Sequence, residues 1–246
     1  MVLKTISLSK FFDGVKALDG VSIEARKNNI TLIIGPNGSG KTTLINTICG
    51  FYRADSGKVI FENRDITNKP PHEISRMGIT RTFQIPQPLR RMTVLENLLI
   101  AEDYGLSVLE AVGRGWMKKE EETAEKAFKI LEFLNLEHLW DSPAQNLSGG
   151  QLKLLELGRA IMRNSKLLIA DEPIAGVNPV LAEEILSRFV KLKSEMTFLI
   201  VEHRLDIVLK YVDYIYVMAN GRIIAEGREE VVEDPRVVEV YLGAEG

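Results

Sequence analysis

The stretch Gly35-Pro36-Asn37-Gly38-Ser39-Gly40-Lys41-Thr42-Thr43 decides the fold. It fits the phosphate-binding pattern G-x-x-x-x-G-K-[ST] at Gly35, Gly40, Lys41 and Thr42, and its flanks supply the context that the pattern needs. Ahead of it, Ile30 to Ile34 is an apolar, β-branched run that reads as a buried strand. Behind it, Thr42 to Cys49 sets Leu44, Ile45 and Ile48 on one helical face, with Gly50 where a helix C-cap sits. A strand, a glycine turn and a helix start aim backbone N–H groups and the positive helix end at one spot, which therefore takes a phosphate. Gly38 and Gly40 let the main chain approach the phosphate oxygens, Lys41 reaches the β- and γ-phosphates, and the Thr42 hydroxyl is a ligand for Mg²⁺. The whole run from Gly35 to Thr43 is expected to contact ATP or GTP.

Three further places carry chemistry that this loop requires. Leu167-Leu168-Ile169-Ala170-Asp171-Glu172 is an apolar strand delivering two carboxylates at its C-terminal end, where open parallel sheets bind ligands. Asp171 is expected to hold Mg²⁺ through water, and Glu172 to position or deprotonate the attacking water. Thr197 to Val201 is another buried strand, running into Glu202-His203, and His203 is a candidate hydrogen-bond donor to the γ-phosphate. At Leu147-Ser148-Gly149-Gly150-Gln151 a second glycine turn opens a helix with Ser148 as N-cap. Its N-terminus is again an anion site, but no strand precedes it, so another surface must complete it.

Two aromatics, Phe11 and Phe12, stand just before a turn at Asp13-Gly14. Phe12 is a candidate to stack on the adenine; the alternative is that both rings fill the core of a sheet. Gln84 closes the strand-like run Ile79 to Gln84, which Pro86 and Pro88 break.

Composition bounds the class. The 246 residues are 45% hydrophobic and 26% charged, which suits an ordinary soluble globular protein. The apolar runs are far short of a membrane span and the N-terminus lacks a signal layout, so a cytoplasmic location is expected unless a partner holds the chain at a membrane. A formal net charge of −3 argues against a protein that binds nucleic acid by phosphate neutralisation. The single cysteine, Cys49, lies among apolar residues and reads as core packing; with only three histidines it leaves no zinc cluster.

In chain order, Leu3 to Leu8, Val21 to Ala25 and Lys58 to Glu62 read as strands of an antiparallel sheet. From Met92 to Leu139 the pattern is helical: Thr93 and Glu96 form a capping box, and Ala124, Phe128, Leu131 and Leu134 make an amphipathic face. After Asn178-Pro179 a helix carries Leu181, Ile185, Phe189 and Leu192, and Asn220-Gly221 is a hairpin turn between Tyr214–Met218 and Arg222–Ala225. The expected fold is α/β: a P-loop NTPase core, residues 1–87 and 161–246, with an antiparallel β subdomain and a helical subdomain, 88–160, inserted.

The order of phosphate loop, Gln84, LSGGQ, LLIADE strand and His203 resembles the ATP-binding cassette (ABC) ATPases over nearly the whole chain. Within them, Arg81-Thr82-Phe83-Gln84, Thr93-Val94-Leu95-Glu96-Asn97, Glu172-Pro173-Ile174-Ala175-Gly176 and Val240-Tyr241-Leu242-Gly243 resemble the ATPase subunits of branched-chain amino-acid importers. Importers of urea or short amides share much of these stretches, and a soluble ABC ATPase without a membrane partner is the remaining alternative. The resemblance implies a head-to-tail dimer, homo- or heteromeric, in which Ser148, Gly149, Gly150 and Gln151 of one subunit close on the ATP held by Lys41 of the other. It implies that Gln84 senses Mg²⁺ and a transmembrane permease, and that His203 contacts the γ-phosphate. It also implies a position on the inner face of the cell membrane and an indirect link to a substrate-binding protein outside. One departure stands out: many of these ATPases carry an aspartate where this chain has Asn178, which keeps the capping role and loses the charge.

Overall fold

The computed structural model describes residues 1–82, 87–102 and 115–242. The chain divides into two compact units, Met1–Gln84 with Lys166–Gly246, and Ile85–Ser165. The helical insertion expected over residues 88–160 falls within the second of these units, whose helix Gly149–Met162 runs past residue 160.

The first unit holds two sheets. Its six-stranded sheet has the order β11(Arg222–Gly227), β10(Tyr214–Ala219), β4(Ile30–Ile34), β9(Thr197–Val201), β8(Leu167–Asp171), β7(Ile79–Arg81), parallel except for β11. All residues of β4, β8 and β9 are buried, as continuous apolar runs in a parallel sheet should be. Register pairs Ile33 with Val201 and Val201 with Asp171, so the three strands end at one edge.

The second sheet is antiparallel, ordered β2(Val15–Val21), β1(Leu3–Phe12), β5(Ser56–Phe61), β6(Arg64–Asp65), with β3(Glu24–Ala25) also on β1. It corrects two expectations. β1 does not stop at Leu8 but continues to Phe12 through an irregularity at Ser7, whose φ is 45°; the register against β5 shifts between Ile6 and Ser9, and that against β2 between Leu8 and Phe11. Val21 to Ala25 is not one strand, because β2 ends at Val21 and the chain rejoins β1 only at Glu24 and Ala25, opposite Lys4 and Leu3.

Between the sheets, the helix Lys41–Ile48 buries Leu44, Ile45 and Ile48 beside Leu3, Leu18, Ile33 and Phe61. Each such side chain is stabilised by about 1.5–3 kcal/mol on burial. An eight-residue helix is too short to stand alone, so this packing holds it in place. Cys49 is part of the same core, and burial pushes its thiol up to about 12, which makes it inert.

Among the described residues of the second unit the α-helices are Val94–Leu99, Gly115–Phe133 and Gly149–Met162. Thr93 and Ser148 both make full capping boxes, with Glu96 and Gln151. A Cβ on Gly158 would lie 2.8 Å from Leu134 and 2.9 Å from Leu98, so a bare backbone here lets the three helices meet. The buried face of Gly115–Phe133 is Thr123, Ala127, Ile130 and Leu131; Phe128, expected on it, is exposed and leans on Trp140 at 5.8 Å. Asn97 is fully buried, donating to the carbonyls of Leu89, Met92 and Thr93 and accepting from the Leu89 N–H.

Candidate functional site

The order β4-β9-β8 brings the ends of three parallel strands side by side, and each end carries a residue singled out in the sequence. β4 leads into the glycine loop and Lys41, β9 into His203, and β8 delivers Asp171 and Glu172. A cleft of about 190 Å³ opens there, lined by Asn37, Gly38, Lys41, Thr42, Glu172 and His203 among others.

The loop conformation depends on its glycines. Gly40 is the N-cap of the helix Lys41–Ile48 with φ 106°, and a Cβ there would sit 2.5 Å from the Ala17 carbonyl oxygen. Gly38 has φ 78° and open space around its Cα. Lys41 is 6% exposed, and its ammonium donates to the carbonyls of Gly35 and Pro36 at 2.8 Å each and to Ser39 Oγ at 3.4 Å. Burial lowers the Lys41 pKa, while the Glu172 and Asp171 carboxylates oppose that shift. The ammonium therefore rests on neutral oxygens with two anions in its field, beside the helix start where Thr42 and Thr43 line the cleft.

Glu172 lies just past the end of β8 in the left-handed region, φ 51°, and its N–H donates to the Val201 carbonyl at 2.9 Å. A non-glycine residue there carries backbone strain of the kind found at working sites. His203 Nε2 is 3.4 Å from Glu172 Oε1. Asp171 closes β8 with 7% exposure, and its Oδ2 accepts from Arg81 Nη2 at 3.1 Å.

The remaining candidates are placed as follows. Ser148, Gly149, Gly150 and Gln151 open the helix of the second unit, with the Ser148 hydroxyl capping the Gln151 N–H. Phe12 ends β1, half exposed, its ring edge-on to Tyr52 at 5.2 Å and under the Lys10 ammonium at 5.1 Å. Gln84 lies outside the described residues. Asn178 caps the next helix, accepting from the Leu181 N–H at 2.9 Å.

Two residues to which the sequence reading gave no role are built into this site. Glu202, 1% exposed, accepts from the Ile174 N–H at 2.8 Å and the His203 N–H at 3.1 Å, tying the turn after Glu172 to the end of β9. Arg81 reaches Asp171 from β7. Only the tertiary fold joins them to their partners.

The donor set suits a hard cation: a hydroxyl at Thr42 and a carboxylate at Asp171. Among the described residues no group of three or more His, Cys, Asp or Glu side chains gathers as a metal cage. A few oxygen ligands with the rest supplied by water and phosphate is the arrangement Mg²⁺ takes.

Among the described residues no helix is long and apolar enough to cross a membrane. The family model described as ABC transporter matches residues 18–175. Over 99% of its length the chain is 70% identical to the probable branched-chain amino acid transport ATP-binding protein LivG of Archaeoglobus fulgidus, 96% of which is covered. It is 60% identical to the protein of the same name from Methanocaldococcus jannaschii, covering 98% of this chain and 97% of that protein. The crystal structure of the ADP conformation of MJ1267, an ATP-binding cassette of an ABC transporter, superposes with a TM-score of 0.86 at 59% identity and 98% coverage of both chains. The chain belongs to the ABC transporter family and is a P-loop ATPase coupled to transport.

Proposed function

We propose that this chain is the ATP-hydrolysing subunit that powers import of branched-chain amino acids. The observation that carries the reading is full-length identity of 70% and 60% to two archaeal proteins named for that transport. Import then requires permease subunits, a substrate-binding protein outside, and a location against the inner face of the membrane.

In this reading the loop Gly35–Thr43 wraps the phosphates, and Lys41 leaves its perch on the Gly35 and Pro36 carbonyls to oppose the β- and γ-phosphate charge. Phe12 is assigned to the base. Glu172 accepts the proton of the water whose oxygen attacks the γ-phosphorus; the bond to the β–γ bridging oxygen breaks and ADP leaves. His203, within 3.4 Å of Glu172, holds a γ-phosphate oxygen and keeps that carboxylate in line. Thr42 and Asp171 are the residues that would hold Mg²⁺, and the family resemblance assigns Gln84 to the same ion. When bound, Mg²⁺ neutralises charge that develops on the phosphoryl oxygens. Ser148 and the N–H groups of Gly149 and Gly150 offer a capped helix start to the ATP of a second cassette, identical or homologous. Hydrolysis would part the two cassettes and move the permease.

The test is reconstitution in vesicles with permease subunits and a substrate-binding protein of a branched-chain amino-acid importer. Leucine, isoleucine or valine should stimulate ATP hydrolysis and accumulate inside. Stimulation by urea or a short amide instead would reassign the substrate, and hydrolysis indifferent to any permease would remove the transport role.

A further inference from the structure

The two side chains that offer oxygen to Mg²⁺ come from different elements, Thr42 from the helix Lys41–Ile48 and Asp171 from the end of β8. One side chain touches both elements. Arg81, at the end of β7, donates through Nη2 to Asp171 Oδ2 at 3.1 Å and through Nη1 to Asn46 Oδ1, on the same helix as Thr42. Its guanidinium also lies over the ring of Phe51, 5.5 Å from the centroid, just beyond that helix. The Arg81 and Asp171 side chains are 10% and 8% exposed, so the pair is shielded from water and competing ions.

A planar guanidinium fixed at both ends is a rigid spacer. By engaging Oδ2 it sets the rotation of the Asp171 carboxylate and turns the other oxygen, Oδ1, to its own fixed direction. By engaging Asn46 it fixes how far that carboxylate stands from the start of the helix. Mg²⁺ demands near-ideal octahedral geometry at short distances, so the spacing between a hydroxyl ligand and a water-bridged carboxylate decides how well it binds.

We propose that Arg81 is a positioning residue, with Asn46 as its anchor, that sets the distance between the Thr42 and Asp171 ligands and thereby the Mg²⁺ dependence of nucleotide binding. The inference rests on the assignment of Thr42 and Asp171 to the metal. An ion pair kept only for stability would lower thermal stability when broken but leave the metal's effect on nucleotide affinity intact. Removing groups that orient metal ligands commonly costs 10- to 100-fold in metal affinity.

The experiment is calorimetric titration of the full chain with ATP, once in Mg²⁺ and once in EDTA, for wild type, Arg81→Gln, Arg81→Lys and Asn46→Ala. The ratio of the two affinities isolates the metal. We expect Arg81→Gln to reduce that ratio about tenfold or more, while ATP affinity in EDTA stays within about twofold. Arg81→Lys, which keeps the charge but cannot span both partners, should recover part of the loss. Asn46→Ala leaves the ion pair in place and should lose less than Arg81→Gln, and it serves as the test should Arg81→Gln not fold. An unchanged ratio in Arg81→Gln, or in Asn46→Ala where that variant alone folds, overturns the proposal while leaving the metal assignment standing. Wild type with no Mg²⁺ effect on ATP affinity overturns both together.

Discussion

His203 Nε2 stands 3.4 Å from Glu172 Oε1, although the two residues leave different strands. The contact exists because β8 and β9 are parallel neighbours in register, Asp171 opposite Val201. Glu202 then locks the geometry, its buried carboxylate accepting from the Ile174 and His203 N–H groups at once. The carboxylate and the histidine are thus held by the backbone of both strands.

That arrangement predicts a kinetic signature for His203→Ala. ATP affinity in Mg²⁺ should fall by no more than a few-fold, while the hydrolysis rate falls about 100-fold, the scale of an angstrom-level misplacement at a reacting centre. Single-turnover hydrolysis beside equilibrium binding measures both. Equal losses in the two would make the histidine a binding residue only.

Gly40 and Gly38 are predicted to differ. Alanine at Gly40 meets both a positive φ and the Ala17 carbonyl at 2.5 Å, whereas alanine at Gly38 meets the positive φ alone. Strain at such a backbone position costs about 1–3 kcal/mol, so Gly38→Ala should lower the Tm by several degrees at most. Gly40→Ala should lower it further and also weaken ATP binding. Thermal melts and ATP titration check the order; Gly38→Ala as damaging as Gly40→Ala would contradict it.

The helical unit carries a pH-sensitive carboxylate. Glu156, on the helix Gly149–Met162, is pushed up to about 7 by burial, partly offset by the Gln87 N–H it accepts at 3.3 Å and by Arg159 and Lys153. Its folded pKa lies above the ordinary value of 4.5, so the folded state holds the proton more tightly and stability falls as pH rises from about 4.5 through about 7. The gap corresponds to at most about 3 kcal/mol. Glu156→Gln should therefore match wild type in Tm near pH 4.5 and exceed it near pH 8. A Tm difference that does not change with pH would refute the assignment.

Much of this fold is legible in the sequence because its signals are local. The buried strands Ile30–Ile34, Leu167–Asp171 and Thr197–Val201 are continuous apolar runs, the caps at Thr93, Ser148 and Asn178 sit beside their helices, and the Asn220-Gly221 turn joins β10 to β11 directly. What escaped depends on distant partners. The irregularity of β1 at Ser7, where the register against β5 shifts between Ile6 and Ser9, is set by pairing with a strand some fifty residues away, which no period-2 pattern encodes. Phe128 satisfies a helical period yet faces Trp140, because the helix presents Ala127 and Ile130 to its neighbours instead. Arg81 and Asp171 are 90 residues apart in sequence, and only the pairing of β7 with β8 reveals that they share a site.

The most direct measurement is single-turnover hydrolysis of Mg·ATP by Glu172→Gln. The substitution keeps the size of the side chain and the φ 51° backbone and removes only the carboxylate that takes the proton. The account predicts ATP affinity within about threefold of wild type and hydrolysis slower by on the order of 10² to 10⁴, with the variant accumulating as an ATP-bound dimer on gel filtration. Hydrolysis at the wild-type rate with ATP bound normally would contradict it and move the base to another residue.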